Sequence, residues 1–460
     1  MLGNLLFPEI EDLIVNRNLA TLREVLSDYS PADLADLITD IPSEKDQAVV
    51  FRLLSKDIAT DTFEYLDVDV QISLMKSLAK EEVAGILNEM APDDRTALLE
   101  ELPAPVTKQM LMMLSPDERS IANKLLGYKE NTIGRLMTPD YISIREDLTV
   151  EDVLANIRKY GKDSETLNVI YIVDDKGKLI DDIRIREILL SPLDKKLSEL
   201  MDGNFIHLIA TDDQETAVQV FKDYDRTVLP VTDNTGILMG IVTIDDVLDV
   251  AEEEATEDIQ KLGGSEALEE PYSTISLFGM VQKRAGWLSI LFIGEMFTAT
   301  AMGFFEHEIA KAVVLALFVP LIIASGGNSG SQASTLVIRA LSLGEIRVAD
   351  WWFVVRREFF SGLILGSILA VLGFVRVGFG QMTHAAYGEY WYLIGLAVSF
   401  ALVGVVTLGT LVGSALPLAL KKLGFDPATS SAPFVATLVD VTGLLIYFGV
   451  ALMLLSGKLL

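Results

Sequence analysis

Five long apolar stretches near the end of the chain constrain its fold more than any other feature. They run at about residues 286–305, 312–341, 359–379, 391–420 and 433–455, and each reaches or exceeds the ~20 residues a helix needs to cross a bilayer. Five in succession without amphipathic partners is not how a soluble core is built, so residues 281–460 are expected to form a five-helix transmembrane domain. Lysine and arginine in the short connections set its orientation. Lys283, Arg284, Arg339, Arg347, Arg356, Arg357, Lys421 and Lys422 fall on the side of the N-terminus, and only Lys311, Arg376 and Lys458 on the other. That bias places the N-terminus inside and the C-terminus outside, as an odd number of spans requires. Met1 to Ala20 carries Glu9, Glu11 and Asp12 and no continuous apolar run, so no secretory leader is expected. The large N-terminal part should be cytosolic, attached to a cytoplasmic (inner) membrane.

Charge divides the chain in the same place. The net charge is −29, but residues 281–460 hold 11 basic against 9 acidic side chains, leaving 26 against 57 in residues 1–280. So acidic a surface repels nucleic acid, and its natural partners are inorganic cations or basic proteins. The absence of cysteine excludes disulfides, thiolate metal sites and cysteine nucleophiles.

Residues 1–130 read as an acidic all-α array of short helices. Ile41-Pro42-Ser43-Glu44, Ala91-Pro92-Asp93-Asp94, Leu102-Pro103-Ala104-Pro105 and Ser115-Pro116-Asp117-Glu118 are helix-start signals. From Ile133 to about Val250 helices alternate with β-branched strands, twice. Leu136-Met137-Thr138-Pro139 recurs as Leu200-Met201-Asp202-Gly203, and Asn168-Val169-Ile170-Tyr171-Ile172-Val173-Asp174 as Thr227-Val228-Leu229-Pro230-Val231-Thr232-Asp233. Here the sequence resembles a tandem pair of CBS (cystathionine-β-synthase) domains, at 131–199 and 200–250. The resemblance implies an α/β regulatory pair that binds a small ligand between its halves, ATP or another adenine nucleotide being the candidate. The second copy holds Gly240, Thr243 and Asp246 in a pattern similar to the family's adenosine-binding segment, with Thr243 and Asp246 suited to phosphate and ribose hydroxyls. The first copy lacks both the glycine and the Ser/Thr.

A connecting segment, 244–280, follows. Its helix, about Ile244 to Leu262, ends at Gly263-Gly264 and carries Asp245, Asp246, Asp249, Glu252, Glu253, Glu254, Glu257 and Asp258 against Lys261 alone. Asp246, Asp249, Glu253 and Glu257 share one face, where each like-charge pair costs ~0.2–0.5 kcal/mol. Divalent cations would relieve that repulsion by tying the helix to other acidic surfaces.

Two features of the spans need a reason. One is the polar, glycine-rich run Ser325-Gly326-Gly327-Asn328-Ser329-Gly330-Ser331-Gln332-Ala333-Ser334 inside the second span, with Asn328, Gln332 and Thr335 on one face. The other is Asp440 in the fifth span, preceded by Pro433. An ionised carboxylate at membrane depth costs at least ~2.5–3.5 kcal/mol, so it reads as functional by default. Pro433 is expected to leave carbonyl oxygens, Ala436 among them, turned toward the same cavity. Glu295 in the first span reads as a cation ligand or as a hydrogen-bonded acid. The donors on offer are oxygen only, which selects a hard cation such as Mg²⁺, whereas zinc or copper would want the histidines that the reading leaves in outer loops, His307 and His384.

The domain order, the run Gly327-Asn328-Ser329-Gly330-Ser331-Gln332 and the stretch from Gly424-Phe425-Asp426-Pro427-Ala428 through Asp440-Val441-Thr442-Gly443 resemble the MgtE-type magnesium channel family, also grouped with the solute carrier 41 transporters. The resemblance covers nearly the whole chain. It implies a homodimer with its pore between the two membrane domains, in which Asp440, the Ala436 carbonyl and Asn328 meet hydrated Mg²⁺ and the connecting helix acts as a plug. Some members are polar between the signature Ser and Pro; here that residue is Ala432, and no selectivity role is carried over to it. Regulatory Mg²⁺ is then expected to bridge Asp93 and Asp94 of the N-terminal array, Asp225, Asp246 and Asp249 of the second module, and Glu254, Glu257 and Asp258 of the plug, closing the pore when cytosolic Mg²⁺ is high.

Three rivals remain at this level. A cation-coupled exchanger, moving Mg²⁺ against Na⁺ or H⁺, fits the same fold, and Mn²⁺, Co²⁺ and Ca²⁺ stand beside Mg²⁺ as cargo. An intramembrane serine protease would need a histidine base on a neighbouring span; residues 391–455 contain none, so no enzyme is expected. A CBS-regulated anion channel conflicts with Asp440.

Overall fold

The computed structural model describes residues 10, 12–268, 272, 275–384 and 387–459; Glu9 and Glu11 lie outside the described residues. The chain divides into two units, Met1–Ala251 and Glu252–Leu460.

After a helical stretch at residues 12–15, short helices follow one another in the first unit: α1 (Leu19–Leu26), α2 (Pro31–Asp40), α3 (Glu44–Phe51), α4 (Lys56–Glu64), α5 (Val68–Ser77), α6 (Lys80–Glu89), α7 (Pro92–Glu101), α8 (Ala104–Leu111) and α9 (Pro116–Leu125). Their starts follow from side-chain chemistry. Ser30, Ser43 and Ser115 accept the N–H groups of Asp33, Asp46 and Glu118, satisfying donors that have no partner within the helix. Pro31, Pro92 and Pro116 stand in the first turn, where a missing N–H costs nothing. Leu34, Leu37, Ile38, Phe63, Leu98 and Leu99 form the centre of one continuous core. Arg95 is wholly buried beside it, its guanidinium donating to the Leu87 carbonyl at 3.0 Å and to Glu118 at 2.5 Å.

The doubled α/β region follows: α10 (Ile133–Leu136), β1 (Ser143–Arg145), α11 (Val150–Tyr160), β2 (Val169–Val173), β3 (Leu179–Arg184), α12 (Ile185–Leu190), then β4 (Leu208–Ile209), α13 (Gln214–Tyr224), β5 (Val228–Thr232), β6 (Leu238–Thr243) and α14 (Ile244–Leu262). Each copy builds a three-stranded sheet, with the first strand parallel to the second and the second antiparallel to the third. The copies exchange their leading segments. Ile133 and Met137, ahead of the first copy, are buried in the core of the second, whereas Leu197, with Leu200 and Met201 beside it, belongs to the core of the first. The two hairpin turns also pair with each other, Leu179 N–H to the Gly236 carbonyl and Leu238 N–H to the Gly177 carbonyl, both at 3.0 Å. Packing therefore crosses the boundaries expected from the repeat, and neither copy is a closed body by itself.

Among its described residues the second unit holds five helices long and apolar enough to cross a membrane: α15 (Leu277–Phe304), α17 (Val319–Ser342), α18 (Trp351–His384), α19 (Trp391–Lys422) and α20 (Ala432–Leu455), with the short α16 (Glu306–Lys311) after the first. The second apolar stretch is not α-helical throughout, since Val313–Phe318 is a 3-10 segment that leads into α17. The third, read as residues 359–379, is the middle of a 34-residue helix, about 50 Å long. His307 lies on α16 and His384 ends α18, so neither stands in an irregular loop.

Glycine decides how these helices meet. A Cβ on Gly409 would lie 2.4 Å from the Gly326 carbonyl oxygen, and one on Gly413 would lie 2.1 Å from that of Gly330. Helices α17 and α19 thus touch backbone to backbone, the small-residue solution for association without a hydrophobic driving force. Gly362 and Gly366 of α18 make the same approach to Thr407 and Val403 of α19. Helix α15 differs from the rest: it packs along α20, and Thr298 is its one buried residue among those described.

Candidate functional site

Asp440 sits about a third of the way along α20, half buried, facing α17 and α15. A Cβ on Gly327 would stand 3.3 Å from the Ala436 Cβ and 3.7 Å from Asp440 Oδ1. The glycine therefore brings the α17 backbone up to the carboxylate. On the other side Glu295 of α15 is hydrogen-bonded to Asp440, and a Cβ on the adjacent Gly294 would lie 2.4 Å from Thr437 Cγ2. Two carboxyl groups thus face each other in an apolar bundle, an arrangement of oxygen donors suited to a hard cation.

The polar run of α17 splits into two faces. Ser331 and Ser334 turn inward and donate to the Ala432 and Ser430 carbonyls at 3.0 Å, pinning the entry of α20. Asn328, Gln332 and Thr335 turn outward and are exposed in the single chain. The Pro433 expectation is corrected here. Pro433 occupies the first turn of α20, where the missing N–H breaks no helical bond; Ala436 is an ordinary helical residue placed by the close Gly327 contact.

The first unit holds a different arrangement. Asp93 and Asp94, in the first turn of α7, meet Asp246 at the start of α14, with Asp245, Glu64 and Glu165 in electrostatic range. Burial, reinforced by these neighbouring carboxylates, drives the Asp93 carboxyl well above its ordinary value. The same causes raise Asp94 to about 8. Burial raises Asp246 to about 7 against the opposing hydrogen bond from Thr243. Asp93 Oδ1 is buried with no hydrogen-bond partner. A buried carboxylate oxygen lacking a donor and ringed by other carboxylates fits a hard divalent cation.

Among the described residues no three acidic or histidine side chains converge tightly enough to form a ready-made metal site. Magnesium asks for less, since it is usually held by one or two carboxylates through retained waters. Asp225 is not one of the charges acting on Asp93, Asp94 or Asp246; it caps α13 with φ 48° and lines a separate surface groove with Lys222, Arg226 and Val247. The Thr243 hydroxyl donates to Asp246 at 2.6 Å, so the pair read as a nucleotide seat is engaged with itself and faces carboxylates, surroundings that favour a cation over a phosphate.

Helix α14 extends from Ile244 to Leu262. Asp249 is exposed and Glu254 half exposed in its middle. Near its end Glu257 pairs with Lys261, whose Nζ also reaches Asp426 Oδ2 at 2.6 Å. The Ser342 hydroxyl donates to Asp258 Oδ2 at 3.0 Å, and burial holds the Asp258 carboxyl above its usual range. The expected acidic face is thus divided: Asp246 belongs to the first cluster, Glu257 and Asp258 to contacts with α17 and the segment before α20. Glu64, Glu165 and Ser342 were not found from sequence, since each is brought in by a distant element and carries no local motif.

Comparison with known proteins agrees with this anatomy. Residues 319–450 match the family model described as a divalent cation transporter, MgtE; residues 29–131 match the MgtE intracellular N domain, and residues 133–193 and 197–253 match the CBS domain. The magnesium transporter MgtE of Thermus thermophilus is 38% identical over 452 residues, covering 97% of this chain and 98% of the relative. That of Bacillus subtilis is 29% identical over 442 residues, covering 95% of each. The solved cytosolic domain of the Mg²⁺ channel MgtE in complex with ATP aligns with a TM-score of 0.51 at 34% identity, covering 53% of this chain and 99% of that one. With both units accounted for at such identity over almost the full length, the chain belongs to the MgtE family of magnesium transporters.

Proposed function

We propose that the chain is a magnesium channel that imports Mg²⁺ across the cytoplasmic membrane as a homodimer, and that Mg²⁺ held by its acidic cytosolic part closes it. The observation that carries this reading is Asp440, a half-buried carboxylate inside the last span with the α17 backbone drawn up to it by Gly327. Asn328, Gln332 and Thr335 stand exposed on the neighbouring helix, and three polar side chains in a row are not left against lipid. A second copy would cover them and supply a second Asp440 for one hydrated cation. Mg²⁺ is the cargo here, and oxygen is the only donor the surroundings offer.

Regulation uses the other carboxylates. Asp93, Asp94 and Asp246 would hold Mg²⁺ in the first unit, supported by the orphaned Asp93 oxygen; Asp225, Asp249, Glu254, Glu257 and Asp258 are the further candidates along α13 and α14. Bound cations offset the repulsion between these groups and favour the closed form, and their loss shifts the population toward the open one. An adenine nucleotide is a second ligand for the doubled α/β region, since the related cytosolic domain was solved with ATP. With Asp246 engaged by Thr243 and the cation cluster, its phosphates would sit elsewhere than on Thr243 and Asp246.

The test is flux through proteoliposomes at graded Mg²⁺ on the cytosolic side. Asp440→Ala is expected to lower Mg²⁺ flux at least ~100-fold, while the wild type conducts without a sodium or proton gradient and slows as cytosolic Mg²⁺ rises. Flux that requires either gradient would replace the channel by a coupled exchanger.

A further inference from the structure

Between the start of α18 and the end of α19 the membrane unit carries a cavity of about 510 Å³. Val348, Trp351 and Val355 form one wall, and Ala415, Leu418 and Lys422 form the other. Every lining side chain is apolar except Lys422, whose ammonium makes no ion pair among the described residues. By chain direction and the cytosolic N-terminal part, this end of both helices faces the cytosol.

The surroundings match a membrane interface. Trp351 and Trp352 are exposed, their rings edge to face at 5.5 Å, and exposed tryptophans gather at headgroup level. Leu423 and Phe425 continue the exposed apolar rim. Lys421 stands next to Lys422, and Arg347 opens the facing segment. The nearest acid on that segment, Asp350, accepts the Arg347 backbone N–H at 2.9 Å and so serves the helix start. The first unit is strongly acidic, but this rim is basic.

We propose that the cavity is a binding site for one anionic phospholipid of the cytosolic leaflet. An acyl chain would lie along the small side chains of α19 and the phosphate would meet Lys422, the pattern expected of basic pockets between spans. A lipid is the occupant this lining favours, because the walls are apolar, the one cation stands at the cytosolic end of α19 and exposed tryptophans lie beside it. The site follows from the membrane orientation alone and does not depend on the channel reading. Lys422 stands four residues before Asp426, the partner of Lys261, so a bound headgroup would steady the segment on which α14 ends.

The experiment uses the full chain in bilayers of equimolar phosphatidylglycerol and phosphatidylcholine, with retained lipids counted by native mass spectrometry. The wild type is expected to retain phosphatidylglycerol in preference. Lys422→Gln should cut that preference about five-fold, and Ala415→Phe, which fills the cavity, should remove bound lipid of either headgroup. Ala419→Leu is the milder filling variant should the larger ring prevent folding, and Mg²⁺ flux verifies that each variant is assembled. Equal retention of the two lipids by the wild type would overturn the proposal, as would unchanged counts in the substituted chains. A filled cavity that altered the oligomer mass and left the lipid count alone would instead make this groove a contact between copies.

Discussion

The two acidic centres use the same ligand chemistry in opposite ways. In the first unit Asp93, Asp94, Asp245, Asp246 and Glu165 crowd together, so neutralisation by protons or cations is needed for their packing to hold. In the second unit Asp440 has one acidic neighbour, Glu295, and its place is fixed by glycine contacts that need no ion. A dense cluster responds to cation concentration because binding relieves repulsion; a sparse site in a rigid bundle can pass a cation on because it holds it with few ligands. In the proposed channel, sensing and conduction would be separated by carboxylate density and by what fixes the surrounding backbone.

The harshest way to probe this contrast is to attack the rigid side. Gly413→Leu places a branched side chain where even a Cβ would lie 2.1 Å from the Gly330 carbonyl, and neither backbone can yield cheaply. The expected result is loss of folded membrane protein, read by detergent extraction and size-exclusion chromatography. A well-folded, conducting Gly413→Leu would show that the α17–α19 contact does not set the Asp440 site.

A smaller effect is expected from thinning the dense cluster. Asp93→Asn combined with Asp246→Asn should raise the cytosolic Mg²⁺ needed to halve the flux by about ten-fold, within the usual range of coupling energies, with maximal flux unchanged. Should maximal flux fall instead, the cluster would belong to the conduction path and the contrast would fail.

The mildest probe is pH. Asp94 and Asp246 titrate near 8 and 7 in the folded chain, above an ordinary carboxylate value near 4. For groups raised in this way, the neutral form's contribution is fully present below the ordinary value and is lost as pH rises through the folded ones. In Mg²⁺-free buffer, the hydrogen-exchange protection of α7 and the first turns of α14, referenced to the intrinsic exchange rate at each pH, should fall roughly several-fold between pH 6 and pH 8. Saturating Mg²⁺ should flatten the dependence, because the cation replaces the protons. Equal pH dependence with and without Mg²⁺ would separate the cluster from cation binding.

Much of this was legible in the chain itself. The five spans, the doubled α/β repeat and the acidic helix with its glycine stop are local signals, carried by runs of apolar residues and by punctuation such as Ser115-Pro116 and Gly263-Gly264. Asp440 stood out because a charge in an apolar span is costly wherever that span packs. Pro433 was misread for a related reason: whether proline breaks a helix or begins one depends on where the helix starts, and Ser331 and Ser334, about a hundred residues away, help to settle that point.

Sequence by itself determined the class of the protein, its five apolar spans and where its carboxylates concentrate, since hydropathy, charge and helix capping act over a few residues. Tertiary structure alone decided which of those residues meet. It brought Gly327 to Asp440, joined Asp93 and Asp94 to Asp246, gave Lys261 to Asp426, and exchanged the leading segments of the two α/β copies. The physical reason is that backbone-close helix contacts and long-range ion pairs depend on three-dimensional fit, for which sequence spacing carries no code.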